Sequence, residues 1–223
     1  MCEKNEIRCD KPEASQEKKP KKRKQLMMIV FPKPLLPIGL PEGYQVTNYT
    51  GKEEEQDAWL EVCRNGLTSE TDTREKFRRE ILEWGGIKPL EDVFFIEHEG
   101  RKVATITAID RVWNGMGYVH MVAVKSEYRG KGLGNCLNRI AMNKLAQNQC
   151  RMAYLTTSEE RRAACKSYLS AGFYPVNHGE DMPGRWSALL SELGIESARM
   201  LKENGEPDIM VYADGHKVPD PLI

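Results

Sequence analysis

The sequence predicts an α+β fold: a mixed, mostly antiparallel sheet with helices on both faces and one parallel strand pair. Three observations carry this. Strand-like segments follow one another between residues 92 and 124 with only short turns between them, which makes an antiparallel meander. From Val119 to Phe173 the pattern becomes strand, glycine turn, helix, strand, helix, and a crossover helix joins strands that run parallel. The 223 residues are 40% apolar and 30% charged, enough for one large globular core. No apolar run reaches the roughly 18–20 residues needed to span a bilayer, so no membrane partner is expected.

Residues 1–25 hold nine cations and five anions, with Lys18, Lys19, Lys21, Lys22, Arg23 and Lys24 in one run. Such a run repels itself and has no apolar face, so residues 1–25 read as a basic, disordered tail. Nuclear import or nucleic-acid contact would use the same composition, but the solvated tail is the preferred reading and nucleic acid is not expected as a partner. Residues 26–43 read as a proline-rich lead-in. The apolar stretch Leu26 to Phe31 is too short for a secretory signal and is followed by Pro32 rather than a small-residue cleavage site. Phe31 to Pro41 is extended and stiffened by proline. The six cysteines, at 2, 9, 63, 136, 150 and 165, form no C-x-x-C pair and no metal-ligand spacing. They read as reduced thiols of a cytoplasmic protein without a metal site.

Residues 44–223 read as a single domain with a C-terminal extension from about 178. Tyr44 to Tyr49 alternates like a half-buried strand. Helices are expected over 53–65, around Trp59, Leu60 and Cys63, and over 70–84, around Phe77, Ile81 and Trp84, the second capped by Ser69 three residues before Asp72. Residues 92–98 and 103–109 form a hairpin about Glu99 and Gly100, and Gly117 to Val124 follows a turn at 113–117. Leu133, Leu137, Ile140, Ala141 and Leu145 mark one face of a helix, and 151–156 is a strand. Thr157 to Glu160 has the form of a capping box opening a helix that runs to Ala171 and stops at Gly172. A short helix over 185–194 and a strand over 209–212 follow, and residues 195–223 either complete the sheet or form a separate extension.

The chemistry sits in Arg129, Gly130, Lys131, Gly132, Leu133 and Gly134, directly after the apolar strand. Glycines between a strand and a helix leave backbone N–H groups unshielded at the positive end of the helix, a ready pyrophosphate site. A Walker loop needs Ser or Thr after its Lys, and here Gly132 follows Lys131. A dinucleotide fingerprint needs G-x-G-x-x-G, whereas these glycines stand at 130, 132 and 134.

Arg129, Gly132 and Gly134, with Tyr168, Gly172 and Phe173 about thirty residues on, resemble the two motifs of the GNAT superfamily of acetyl-CoA-dependent N-acetyltransferases. The resemblance extends over about 130 residues from Tyr44 and implies acetyl-CoA as co-substrate, no metal, and direct transfer to a primary amine in a ternary complex. A small molecule is the favoured acceptor. A protein or peptide amine, or a non-catalytic acyl-CoA binding or sensing module, are the alternatives. It implies that Met121, Val122 and Val124 bind pantetheine and polarise the thioester, and that Arg129 to Gly134 hold the pyrophosphate. Tyr168 becomes the general acid for the leaving thiolate and His120 the candidate base, with Glu97, Glu180 and Asp181 as weaker carboxylate candidates. Arg161 stands where the family often has an Asn, and a cation there could reach a CoA phosphate. Cys136 and Cys165 read as buried thiols rather than nucleophiles. The acceptor is expected between residues 66–71 and 174–186, and whether the chain forms a homodimer stays open. Residues 125–166 carry nine cations and three anions against a chain total of zero. A positive cofactor face and an acidic acceptor side follow from that distribution.

Overall fold

A computed structural model describes residues 24–33, 37–64, 66–113 and 115–222. The basic run therefore lies almost wholly outside the described residues, Lys24 excepted. A seven-stranded sheet runs in the order β2 (Tyr44–Asn48), β3 (Val93–His98), β4 (Arg101–Trp113), β5 (Met116–Val124), β6 (Ala153–Thr157), β1 (Leu26–Val30), β7 (Tyr174–Pro175). Every neighbouring pair is antiparallel except β5 and β6.

Two apolar layers cover the sheet because strand side chains alternate. On β3, Ile96 joins the larger core beneath α4 (Leu133–Gln147), α5 (Arg162–Ser170) and α6 (Met182–Leu193). Val93 and Phe95 point the other way, to Trp59 of α1 (Glu53–Cys63) and Phe77 of α2 (Arg74–Phe77). Trp59 and Phe77 meet edge to face at 5.2 Å. A four-residue helix, α3 (Pro89–Asp92), leads into β3.

The first difference from the sequence reading is β1. All five of its residues are buried, and it lies between β6 and β7 rather than in a lead-in. A continuous apolar run is the pattern of a strand covered on both faces, so the shortness that excludes a signal peptide fits an interior strand. The second is the helix expected over 70–84. The Asp72 carboxylate accepts the Ser69 N–H at 2.7 Å, which closes a turn, and Thr73 caps α2 instead. After Phe77 the helix widens into a π-helical turn, Arg78–Leu82. The third is the capping box: Thr157 pairs with Leu26 as the last residue of β6, and α5 begins at Arg162 without a side-chain cap. Sheet pairing outweighs the cap because β6 is an interior strand. At the C-terminus β8 (Ser197–Leu201), β9 (Pro207–Tyr212) and β10 (Lys217–Pro219) form a separate three-stranded sheet.

One departure from regularity positions the site. β5 pairs with β6 only at Gly117 with Ala153 and Tyr118 with Tyr154, after which the two strands part. At the same point β5 carries a bulge against β4: Met121 has φ +49°, and the register shifts between Thr105 and Thr107. A positive φ is costly for a side chain of this size, and such strain concentrates where a strand must be re-aimed.

Candidate active site

The splayed strands open a cleft of about 730 Å³ whose floor is Val122 to Val124. At its far end β5 passes through the turn Ser126–Tyr128 into the glycine loop, where Gly130 and Gly132 have φ of +77° and +79°. Gly132 is the N-cap of α4 and offers no side chain to the first turn. The Asn135 and Cys136 N–H groups both turn back to the Gly132 carbonyl, at 3.0 and 3.2 Å. Those of Leu133 and Gly134 precede any intrahelical partner and lie in the cleft wall, at the positive end of the helix. The opposite wall is α5. Asn138 donates to Ser167 Oγ at 3.1 Å, and Ser167 donates to Asn135 at 3.2 Å, which fixes the spacing of α4 and α5. Arg161 closes the cleft by donating to the Gly66 carbonyl at 2.8 Å.

A second pocket, about 210 Å³, lies beyond the bulge and shares Leu67, Val122, Arg161 and Tyr168 with the cleft. His120 and Tyr118, two residues apart on β5, line it together with Glu80 from the π-helical turn. His120 Nε2 sits 3.7 Å from a Glu80 oxygen, and its ring stacks on Trp84 and Tyr118 at 5.5 and 5.3 Å. Burial pushes the His120 pKa below the ordinary imidazole value, and the Glu80 charge opposes that shift. His120 Nε2 has no hydrogen-bond partner among the described residues. Lys76 donates to the other Glu80 oxygen at 2.8 Å. Tyr168 is buried and its phenol is held well above its usual range by desolvation, so it stays protonated at neutral pH. An elongated groove ending in backbone amides thus meets a small polar pocket holding a neutral imidazole and a phenol.

Residues 53–173, more than half of the chain, match the acetyltransferase (GNAT) family. The chain belongs to that family. A stretch of 72 residues is 40% identical to N-alpha-acetyltransferase 30 of Saccharomyces cerevisiae (strain ATCC 204508 / S288c), covering 29% of this chain and 41% of the yeast protein. A GCN5-related N-acetyltransferase from Sphaerobacter thermophilus superposes with a TM-score of 0.55 at 20% identity, over 69% of this chain and 49% of that one. The chain therefore spans less than half the length of each of these relatives in the match, and the second likeness speaks to the fold.

Within this GNAT domain Val122, Val124, Arg129, Gly130, Gly132, Leu133 and Gly134 line the cleft, while Met121 lies in the second pocket. Lys131 does not line the cleft: its ammonium lies 5.0 Å above the Tyr128 ring and 3.4 Å from the Tyr44 hydroxyl. Arg161 stands at the junction of cleft and pocket. Two of the alternative carboxylates are engaged elsewhere, Glu97 by Lys102 and Gln45 and Asp181 by Arg185. Glu180 is exposed and, like those two, lines neither pocket.

None of residues 174–186 lines the second pocket, and Met182 and Trp186 are fully buried in the core. Lys76 and Glu80 line it instead, and the pocket is not acidic: Lys76 and Arg161 face the one carboxylate. Tyr118 could have been found from its two-residue spacing to His120 on one strand face. Glu80 could not, because the π-helical turn that aims it leaves no local signature. Burial raises both the Cys136 and Cys165 thiols, the latter to about 11. No cluster of three or more His, Cys, Asp or Glu able to hold a metal ion occurs among the described residues, and none of their helices is long and apolar enough to cross a membrane.

Proposed function

We propose that the chain transfers acetyl from acetyl-CoA to the primary amine of a small molecule by direct attack in a ternary complex. The junction of the amide-ended cleft with the His120 pocket at Tyr168 supports this reading, because it brings two substrates together at one point. Acetyl-CoA extends along the cleft with its pyrophosphate on the α4 N-terminus and its pantetheine along Val122 to Val124. The amine enters the smaller pocket and gives a proton to neutral His120, directly or through one water. Its nitrogen forms the new C–N bond, backbone N–H groups at the β5 bulge stabilise the oxyanion, and the C–S bond breaks. Tyr168 protonates the departing thiolate.

A protein amine is the second reading, favoured by the match to the yeast N-alpha-acetyltransferase. Thiol release with a panel of small primary amines and of peptides with free N-termini tests both. Turnover of small amines with intersecting initial-rate lines is expected. Turnover confined to peptide N-termini transfers the proposal to the second reading, and CoA binding without turnover on any amine leaves only an acyl-CoA binding module.

A further inference from the structure

We propose that this chain also acetylates itself, the acceptors being the lysines of its own basic arm, residues 18–24, modified in cis. The proposal rests on the transferase reading above and adds a substrate to the same site. It begins with where the arm joins the fold. Leu26 pairs with Thr157, so the chain enters the sheet at the end of β6 that has parted from β5. Gln25 is itself part of the acceptor pocket wall, alongside His120, Glu80 and Tyr168.

The residue before it is anchored. The Lys24 carbonyl accepts from Arg185 at 2.9 Å, and Arg185, buried with its chain 6% exposed, is held in turn by Glu159 at 2.6 Å and Asp181 at 3.3 Å. Lys24 and Gln25, to which the arm is joined, thus stand at the mouth of the pocket rather than at a remote edge of the domain.

Five primary amines, Lys18, Lys19, Lys21, Lys22 and Lys24, stand within the seven residues upstream of Gln25. At ~3.4 Å per residue the Lys22 backbone can lie no more than about 10 Å from Gln25, and Lys18 no more than about 24 Å. A tether this short presents a lysine at an effective concentration on the order of millimolar without any dedicated contact. That matters because the pocket has two cations, Lys76 and Arg161, against Glu80, and so does not attract an ammonium ion from solution. The same cations favour the neutral, nucleophilic form of an amine once it is inside. Tethering supplies the proximity that charge does not.

The step balances as the bimolecular reaction does. A lysine Nζ forms an amide bond to the acetyl carbon and loses one proton to His120, the C–S bond breaks, and the thiolate leaves as CoA thiol with the Tyr168 proton. Each turnover removes one positive charge from the arm.

The full chain incubated with acetyl-CoA and mapped by peptide mass spectrometry tests this, with the urea-unfolded chain as the chemical background. Acetylation concentrated on residues 18–24, about 10²-fold faster than that background, and first order with a rate constant independent of protein concentration, is expected. The variant with all five of these lysines changed to Arg should lose the signal while still turning over a small amine. A rate constant that rises with protein concentration overturns the reaction in cis. Arm lysines at background rate, in a chain that acetylates added small amines, overturn self-acetylation and leave the transferase standing. No CoA binding and no turnover on any amine removes the transferase reading, and this one with it.

Discussion

Tyr168 is a wall residue of both the cleft and the pocket, and its ring packs on Phe173 at 5.6 Å. Tyr168→Phe keeps that packing and removes only the phenolic hydroxyl. It should lower kcat by about 10²–10⁴ with CoA affinity unchanged, as calorimetry and thiol release together would show. An unchanged kcat excludes Tyr168 as the acid. His120 gives a prediction in pH. A base must be unprotonated, and burial depresses the His120 pKa, so activity should rise along an acidic limb that lies below the ordinary imidazole value of about 6.5. The Glu80 carboxylate is the charge that holds this pKa up. Glu80→Gln should therefore move the limb to lower pH, a displacement that mere loss of packing would not produce. The same depression bears on stability. The unfolded chain binds the proton more readily than the folded one, so His120 costs folding stability as pH falls below its unfolded value. Acid denaturation of His120→Gln should begin correspondingly later.

At the scale of elements, legibility followed how local the determining pattern was. The meander, α4, α5 and the Gly172 stop could be read because alternation, a four-residue apolar repeat and a left-handed glycine are short-range signals; Gly172 has φ +89°. β1 could not be assigned to the sheet, since Leu26 to Val30 shows only that it is apolar, and its partners lie about 125 residues away. The glycine loop was legible for the local reason, whereas the second pocket assembles β5, the π-helical turn and the chain before β1. Gly117 is where three elements converge. A Cβ there would lie 2.6 Å from Leu145 on α4, 3.3 Å from Ala153 on β6 and 3.3 Å from the Ile109 carbonyl on β4. Leu145 can rotate its terminal methyl away, but the Ala153 Cβ and a strand carbonyl cannot move independently of the sheet. Gly117→Ala should thus destabilise by about 1–3 kcal/mol, read as a lower denaturant midpoint at unchanged slope. Because Gly117 and Tyr118 are the positions where the parallel pair closes, a wild-type midpoint would mean that the contact between β5 and β6 is looser than described.

Across the whole molecule the charges are sorted by task. The cleft is lined by Arg64, Arg129, Arg161 and Arg162, with Glu160 as one opposing carboxylate. The second pocket instead neutralises most of its charge internally, Lys76 against Glu80, around a neutral imidazole. Salt should separate the two. Screening shortens the reach of an exposed charge from about 10 Å at 0.1 M to about 3 Å at 1 M, and it acts on an open, phosphate-facing cleft far more than on a buried pocket. The KM for acetyl-CoA should accordingly rise several-fold over that range, while kcat and the KM for a neutral-headed small amine change little. Acetyl-pantetheine supplies the control, because it has the thioester and the arm that runs along Val122 to Val124 but lacks the diphosphate. Its KM should be higher at low salt and nearly flat with ionic strength. A salt dependence as steep for acetyl-pantetheine as for acetyl-CoA would mean that the cleft cations act through folding or the acceptor rather than through the phosphates.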